Sequence, residues 1–171
     1  IEKLVRIPVE VEVASEFRYR DPIINDKTLV MVISQSGETA DTLAALRLGK
    51  SAGARVAAIT NVVGSSVSRE ADDVIYTWAG PEIAVASTKA YTTQLLAVYM
   101  FALYMAEIRN TISDQERIDI YQALQLIPDQ AAKLLASRDA AKKVAEGILD
   151  WNSAFFIGRG MDYTVALEGA L

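Results

Sequence analysis

The chain has 171 residues, a net charge of −5 and a pI near 4.8, and no basic run marks a nucleic-acid face. It contains neither cysteine nor histidine, which excludes disulfides, thiol nucleophiles and the commonest general base and metal ligand. No metal or cofactor is therefore expected, acid–base chemistry falls to Glu, Asp, Lys or Tyr, and the cytoplasm is the default location.

Residues 1–8 carry no long apolar core before a small-residue cleavage site, so they do not read as a signal peptide. Residues 1–6 read as the middle of a helix. Val9-Glu10-Val11-Glu12-Val13 alternates apolar and acidic residues, the period of a half-exposed edge strand. Residues 15–26 are polar and contain Asp21-Pro22, a turn signal.

Leu29-Val30-Met31-Val32-Ile33 is a continuous apolar run, expected to be a strand buried on both faces of a parallel sheet. Ser34-Gln35-Ser36-Gly37-Glu38-Thr39 follows at once. Residues 40–52 then have leucines and alanines at helical spacing, with Gly53 as the stop. Residues 55–61 form the next strand, so the unit is a βαβ crossover. A short helix over 65–71 and a strand over 73–78 continue the alternation. The class is α/β, with helices on both faces of a mostly parallel sheet.

A loop over 79–87, opened by Gly80-Pro81, leads into a helix over 88–110. Residues 95–106 are apolar on every side, which predicts burial all round. That run is shorter than the roughly 20 residues of a membrane span, so no membrane association is expected. Ser113-Asp114-Gln115-Glu116 is a capping box opening a further helix, and Pro128 interrupts or restarts it. Another helix is expected over 139–148. Ala154-Phe155-Phe156-Ile157 reads as a fresh buried strand, followed by a Gly158-Arg159-Gly160 turn and a helix over 164–171. Both ends read as cuts.

The chemistry concentrates at strand ends. Ligands of open α/β sheets bind at the carboxyl ends of strands, and helix N-termini suit anions. Ser34, Ser36 and Thr39 supply hydroxyls at a spacing that can surround one phosphate, and Gly37 permits close backbone approach. The same residues also suit simple helix capping, and spacing alone does not choose between the two. Glu38 conflicts with an anion unless it points away, favouring the helix N-terminus from the side. A second strand-end loop runs over 80–94. Ser87 or Thr88 is its natural N-cap, and Glu82 and Lys89 either frame a polar ligand or sit in solvent.

Ile33-Ser34-Gln35-Ser36-Gly37-Glu38-Thr39-Ala40-Asp41-Thr42 resembles the phosphate loop of the sugar isomerase (SIS) family. Glu82-Ile83-Ala84-Val85-Ala86-Ser87-Thr88-Lys89-Ala90-Tyr91-Thr92-Thr93-Gln94 is similar to a segment of the glutamine–fructose-6-phosphate aminotransferase (isomerizing) family. Residues 14–20, 156–160 and 166–171 fit that family too. The resemblance implies a three-layer αβα sandwich with a mostly parallel, flavodoxin-like sheet, incomplete at both ends. It implies a first SIS subdomain over 1–150, lacking its N-terminal strand and loop, and the start of a second over 151–171.

The family makes glucosamine 6-phosphate from fructose 6-phosphate, with ammonia from a separate glutaminase domain, and works as a dimer. By family match Ser34, Gln35, Ser36 and Thr39 hold the sugar phosphate, and Val85 and Ser87 line the sugar. The family's Cys-Gly-Thr-Ser loop, its catalytic lysine and glutamate, its ring-opening histidine and its C-terminal lysine have no counterpart in these residues. No catalytic residue is therefore assigned; Glu168, the carboxylate near that region, is a marginal candidate. The 171 residues alone are expected to be inactive. Two other readings are a non-catalytic SIS module that senses a phosphosugar and a different SIS isomerase or deaminase.

Overall fold

A computed structural model describes residues 1–84 and 87–171. The described residues form two compact units, Ile1–Arg117 and Ile118–Leu171.

The first unit begins with α1 (Glu2–Val5) and α2 (Ala14–Tyr19). Then β1 (Leu29–Ser34), α3 (Ala40–Ser51), β2 (Arg55–Thr60), α4 (Ser66–Glu70) and β3 (Asp73–Tyr76) alternate. The long helix α5 (Lys89–Arg109) follows. The strands pair in the order β1-β2-β3, all parallel. Ser34, Thr60 and Tyr76 fall on one row across the sheet, so the three strands end together at one edge.

Side chains of a strand alternate between faces, and this divides the core. Val32, Val56 and Ala58 pack with Leu46 of α3 and Val67 of α4 on one face. Ala57 and Ile59 are buried on the other, and α5 is the helix outside that cluster that packs on β2. The expected α/β layering, with a parallel sheet between helices, is what the chain forms.

Several local expectations are corrected. Residues 9–13 form no strand: Val11 and Val13 are exposed. Glu10 and Glu12 instead both pair with Arg20, at 2.7 and 2.5 Å, so their acidic side chains serve ion pairs and the backbone joins no ladder. Part of the polar 15–26 stretch is α2, which packs on α3. Strand β1 is covered on one face, where α3 packs; Leu29 and Ile33 on the other stay over 40% exposed. In α5, Ala97, Ala102, Leu103 and Ala106 are buried, but Met100 and Tyr104 are exposed. An all-apolar helix thus buries one face here.

The second unit takes in most of α6 (Asp114–Gln125), then α7 (Ile127–Ala136), α8 (Arg138–Gly147) and α9 (Met161–Ala170). The start of α6 follows the capping-box reading: Ser113 Oγ accepts the Glu116 N–H at 3.2 Å. Pro128 stands in the first turn of α7, where its missing N–H costs little. The strand expected over 154–157 is absent. These residues have no partner strand among the described residues, and Phe155 and Ile157 are about nine-tenths exposed.

Candidate functional site

The turn after β1 is built from its own hydroxyls. Ser34 is buried, and its Oγ accepts the Gly37 N–H at 3.0 Å and lies 3.2 Å from Thr39 Oγ1. Ser36 Oγ accepts the Glu38 N–H at 3.2 Å. Thr39 occupies the N-cap of α3 in extended backbone, yet no side chain caps that helix. None of the three hydroxyls is spent on α3. Each serine oxygen accepts from an amide, which leaves the Ser36 proton, and one proton of the Ser34–Thr39 pair, to donate elsewhere. The free first-turn amides of α3 and these hydroxyls together form a neutral donor set of the kind an oxyanion takes.

The loop is seated from below by β2 and α4. The Gln35 carbonyl accepts the Asn61 N–H at 3.1 Å. The Gly37 carbonyl accepts the Val67 N–H at 2.9 Å, and Glu38 Oε1 accepts the Ser66 N–H at 2.7 Å. The Ser66 side chain and N–H, with Arg69 nearby, hold the Glu38 carboxyl below its ordinary range. Glu38 therefore turns away from the loop's hydroxyls, as the anion reading requires. The helix it favours is α4, not the α3 that follows it.

The second strand-end loop meets the first across a cleft of about 420 Å³ lined by Gln35, Asn61, Val62, Trp78, Gly80, Pro81 and Glu82. Asn61 organises this cleft. Its Nδ2 donates to the Gly80 carbonyl at 2.7 Å, and its Oδ1 accepts from Thr77 Oγ1 at 3.0 Å and from the Ala79 N–H at 2.8 Å. Trp78 is carried on the strap so held, at φ 53° and largely exposed.

One of the two expected cap residues of α5 is in place. Thr88 stands at the N-cap but makes no side-chain cap bond. Glu82 does the capping instead: its Oε2 accepts the Ala90 N–H at 3.1 Å, and its Oε1 accepts the Ala84 N–H at 3.2 Å. The Ala90 N–H is the main cause that lowers the Glu82 pKa. A carboxylate can accept more bonds than a hydroxyl, which is why it can tie the loop and the helix at once. Lys89 is exposed.

Of the expected site residues, Ser34, Gln35, Ser36 and Thr39 lie together in the first loop. Ser87 is half-buried at φ 53°, its N–H donating to the Ala84 carbonyl at 3.1 Å. Val85 lies outside the described residues. Glu168 is half-buried on α9 in the second unit. Asn61 and Trp78 were missed as cleft residues. The available signal was position: both follow a parallel strand at its carboxyl end, where such sheets bind ligands. Among the described residues no cluster of acidic side chains could hold a metal ion.

Residues 1–104 match the SIS domain family. The chain belongs to that family. Over all 171 residues this SIS chain is 61% identical to the glutamine–fructose-6-phosphate aminotransferases (isomerizing) of Clostridium tetani and Clostridium perfringens. It spans 28% of the length of each of these relatives. The C-terminal domain of glucosamine-fructose-6-phosphate aminotransferase from Francisella tularensis superposes with a TM-score of 0.95 at 42% identity. That match covers 99% of this chain and 48% of the other. The likeness expected from residues 14–20, 33–42, 82–94, 156–160 and 166–171 thus holds along the whole chain.

Proposed function

We propose that this chain is the sugar-phosphate-holding part of the isomerase domain of a glutamine–fructose-6-phosphate aminotransferase. Its ligand is fructose 6-phosphate or glucosamine 6-phosphate. Ser34, Gln35, Ser36 and Thr39 take the phosphate, and Val85 and Ser87 lie along the sugar. The single observation that carries the reading is the uncapped start of α3 beside amide-bound serine hydroxyls, with Glu38 drawn off to α4. Neutral donors hold a dianion firmly enough to orient it and release it readily.

The cleft beside Gln35 gives the sugar a place next to its phosphate. Residues 151–171 begin a second SIS subdomain in this reading, and residues 1–150 belong to the first. The whole enzyme is a cytoplasmic homodimer whose glutaminase domain supplies ammonia for amino-sugar synthesis. Among the described residues no helix is long and apolar enough to cross a membrane. The residues that rearrange the sugar carbons are not among these, so the chain binds phosphosugar without turning it over.

Titration of the chain with fructose 6-phosphate, followed by 31P resonance shift, tests the assignment. Saturable binding is expected, lost in the double variant Ser34→Ala with Ser36→Ala and absent with fructose itself. Unchanged binding in the double variant refutes the phosphate site. Measurable isomerisation by the 171 residues refutes the division of labour.

A further inference from the structure

The loop after β1 contains one group that a phosphate repels, the Glu38 carboxylate, and α4 engages it directly. Its Oε1 accepts the N–H of Ser66, the first residue of α4, at 2.7 Å. The Gly37 carbonyl accepts the N–H of Val67, the next residue, at 2.9 Å. Two consecutive amides of α4 therefore hold two consecutive residues of the loop. Only the Glu38 contact depends on a side chain. On either side of Glu38 stand Ser36, whose Oγ accepts the Glu38 N–H, and Thr39, whose Oγ1 meets Ser34 Oγ. Fixing Glu38 fixes the backbone from which both hydroxyls project.

We infer that Glu38 is a positioning residue for the phosphate loop. By accepting the opening amide of α4 it sets the direction in which Ser36 and Thr39 present their hydroxyls. It also places its own charge on the far side of the backbone from the ligand. The inference rests on the phosphate reading above. It assigns Glu38 no contact with substrate and no proton transfer.

Two substitutions break the same contact from opposite sides. Glu38→Ala removes the acceptor. Ser66→Pro removes both groups that hold the carboxylate, the Ser66 N–H and its hydroxyl, and proline is tolerated at the first position of a helix. Ser65 before it already has ψ 162°, the extended backbone that precedes proline. Each variant should weaken fructose 6-phosphate and inorganic phosphate alike, by about tenfold, as loss of a charge-assisted hydrogen bond predicts. The double variant should lose no more than the larger single loss, because both substitutions break the Glu38–Ser66 contact. Glu38→Gln keeps an oxygen acceptor and should bind within about twofold of the parent chain. Far-ultraviolet circular dichroism and melting of every variant establish that each is folded.

Wild-type binding by Glu38→Ala, multiplied losses in the double variant, or failure of Glu38→Gln to rescue would each overturn the inference. The underlying reading fails differently. If the unmodified chain shows no saturable phosphate binding, or the Ser34→Ala/Ser36→Ala variant binds as well as it does, the loop holds no phosphate and Glu38 positions nothing.

Discussion

Gly37 and Ser65 are in contact so close that no side chain fits between them. A Cβ built on Gly37 would stand 2.2 Å from Ser65 Oγ and 2.8 Å from Thr60 Oγ1. Gly37 also has φ +66°, a conformation that L residues adopt at a cost. The glycine of the loop is therefore required twice, by its backbone and by the residues beneath it.

Gly37→Ala should cost about 2–4 kcal/mol, the sum of positive-φ strain and overpacking against Ser65. Gly53 provides the comparison. It has φ +83°, but a Cβ there meets only the Asp26 backbone nitrogen at 3.9 Å. Gly53→Ala should cost about 1 kcal/mol, the conformational part alone. Urea unfolding of the two variants checks this, and equal losses would show that the contact with Ser65 is unimportant.

Leu46 tests the core that positions the loop. It is fully buried between Val32, Val56, Ala58 and Val67. Leu46→Ala should destabilise the first unit by about 3 kcal/mol through lost transfer energy and the cavity left behind. Thermal melting followed by circular dichroism measures it. A loss below about 1 kcal/mol would mean that α3 re-packs on the sheet.

Asn61→Ala should open the cleft. Three hydrogen bonds to residues 77–80 end on this one side chain. At the usual net worth of each bond the loss is about 2 kcal/mol of stability. Fructose 6-phosphate affinity should fall more than inorganic phosphate affinity, because the strap borders the cleft proposed for the sugar and not the hydroxyls of the loop. Equal falls for the two ligands would place Asn61 with the phosphate instead.

Acid should unfold the first unit through a defined group of carboxylates. Glu70 is paired with Arg47, Asp72 with Lys50 and Asp73 with Arg55, while Glu38 and Glu82 accept from the starts of α4 and α5. All five have pKa values lowered below their ordinary 4.5 for Glu and 3.8 for Asp. In acid the unfolded chain therefore takes up more protons than the folded one, and stability falls as pH falls. Their contribution is complete above the ordinary values and lost as pH drops through the lower folded values. Melting temperature should be level from about pH 7 to pH 5 and decline below that. A decline that begins above pH 6 would point to groups other than these. Salt should shrink the effect, since the pairs are exposed.

Consecutive residues carry the elements of the α/β unit and the strand-end position of the loop proposed for the phosphate. The run from Leu29 to Ile33, the helical spacing after Thr39 and the glycines at 37 and 53 are local signals, read from neighbours in the chain. They were enough to put the hydroxyls of Ser34, Ser36 and Thr39 at a strand end. Local reading failed where a residue answers to a distant partner. Glu10 and Glu12 looked like an edge strand until Arg20 claimed them. Ser87 or Thr88 reads as the cap of α5, and Thr88 stands at that position, but Glu82 folds back to take the Ala90 amide. Tertiary structure alone decided that Glu38 reaches Ser66, 28 positions away, and that Asn61 ties β2 to the strap after β3. The physical reason is that periodicity and turn chemistry are encoded in consecutive residues, whereas a hydrogen-bond acceptor is matched to whichever amide the packed sheet brings to it. The hydroxyls of the loop are written in consecutive residues; the contact that holds Glu38 comes from α4, a helix that the chain supplies only after another strand has been laid down.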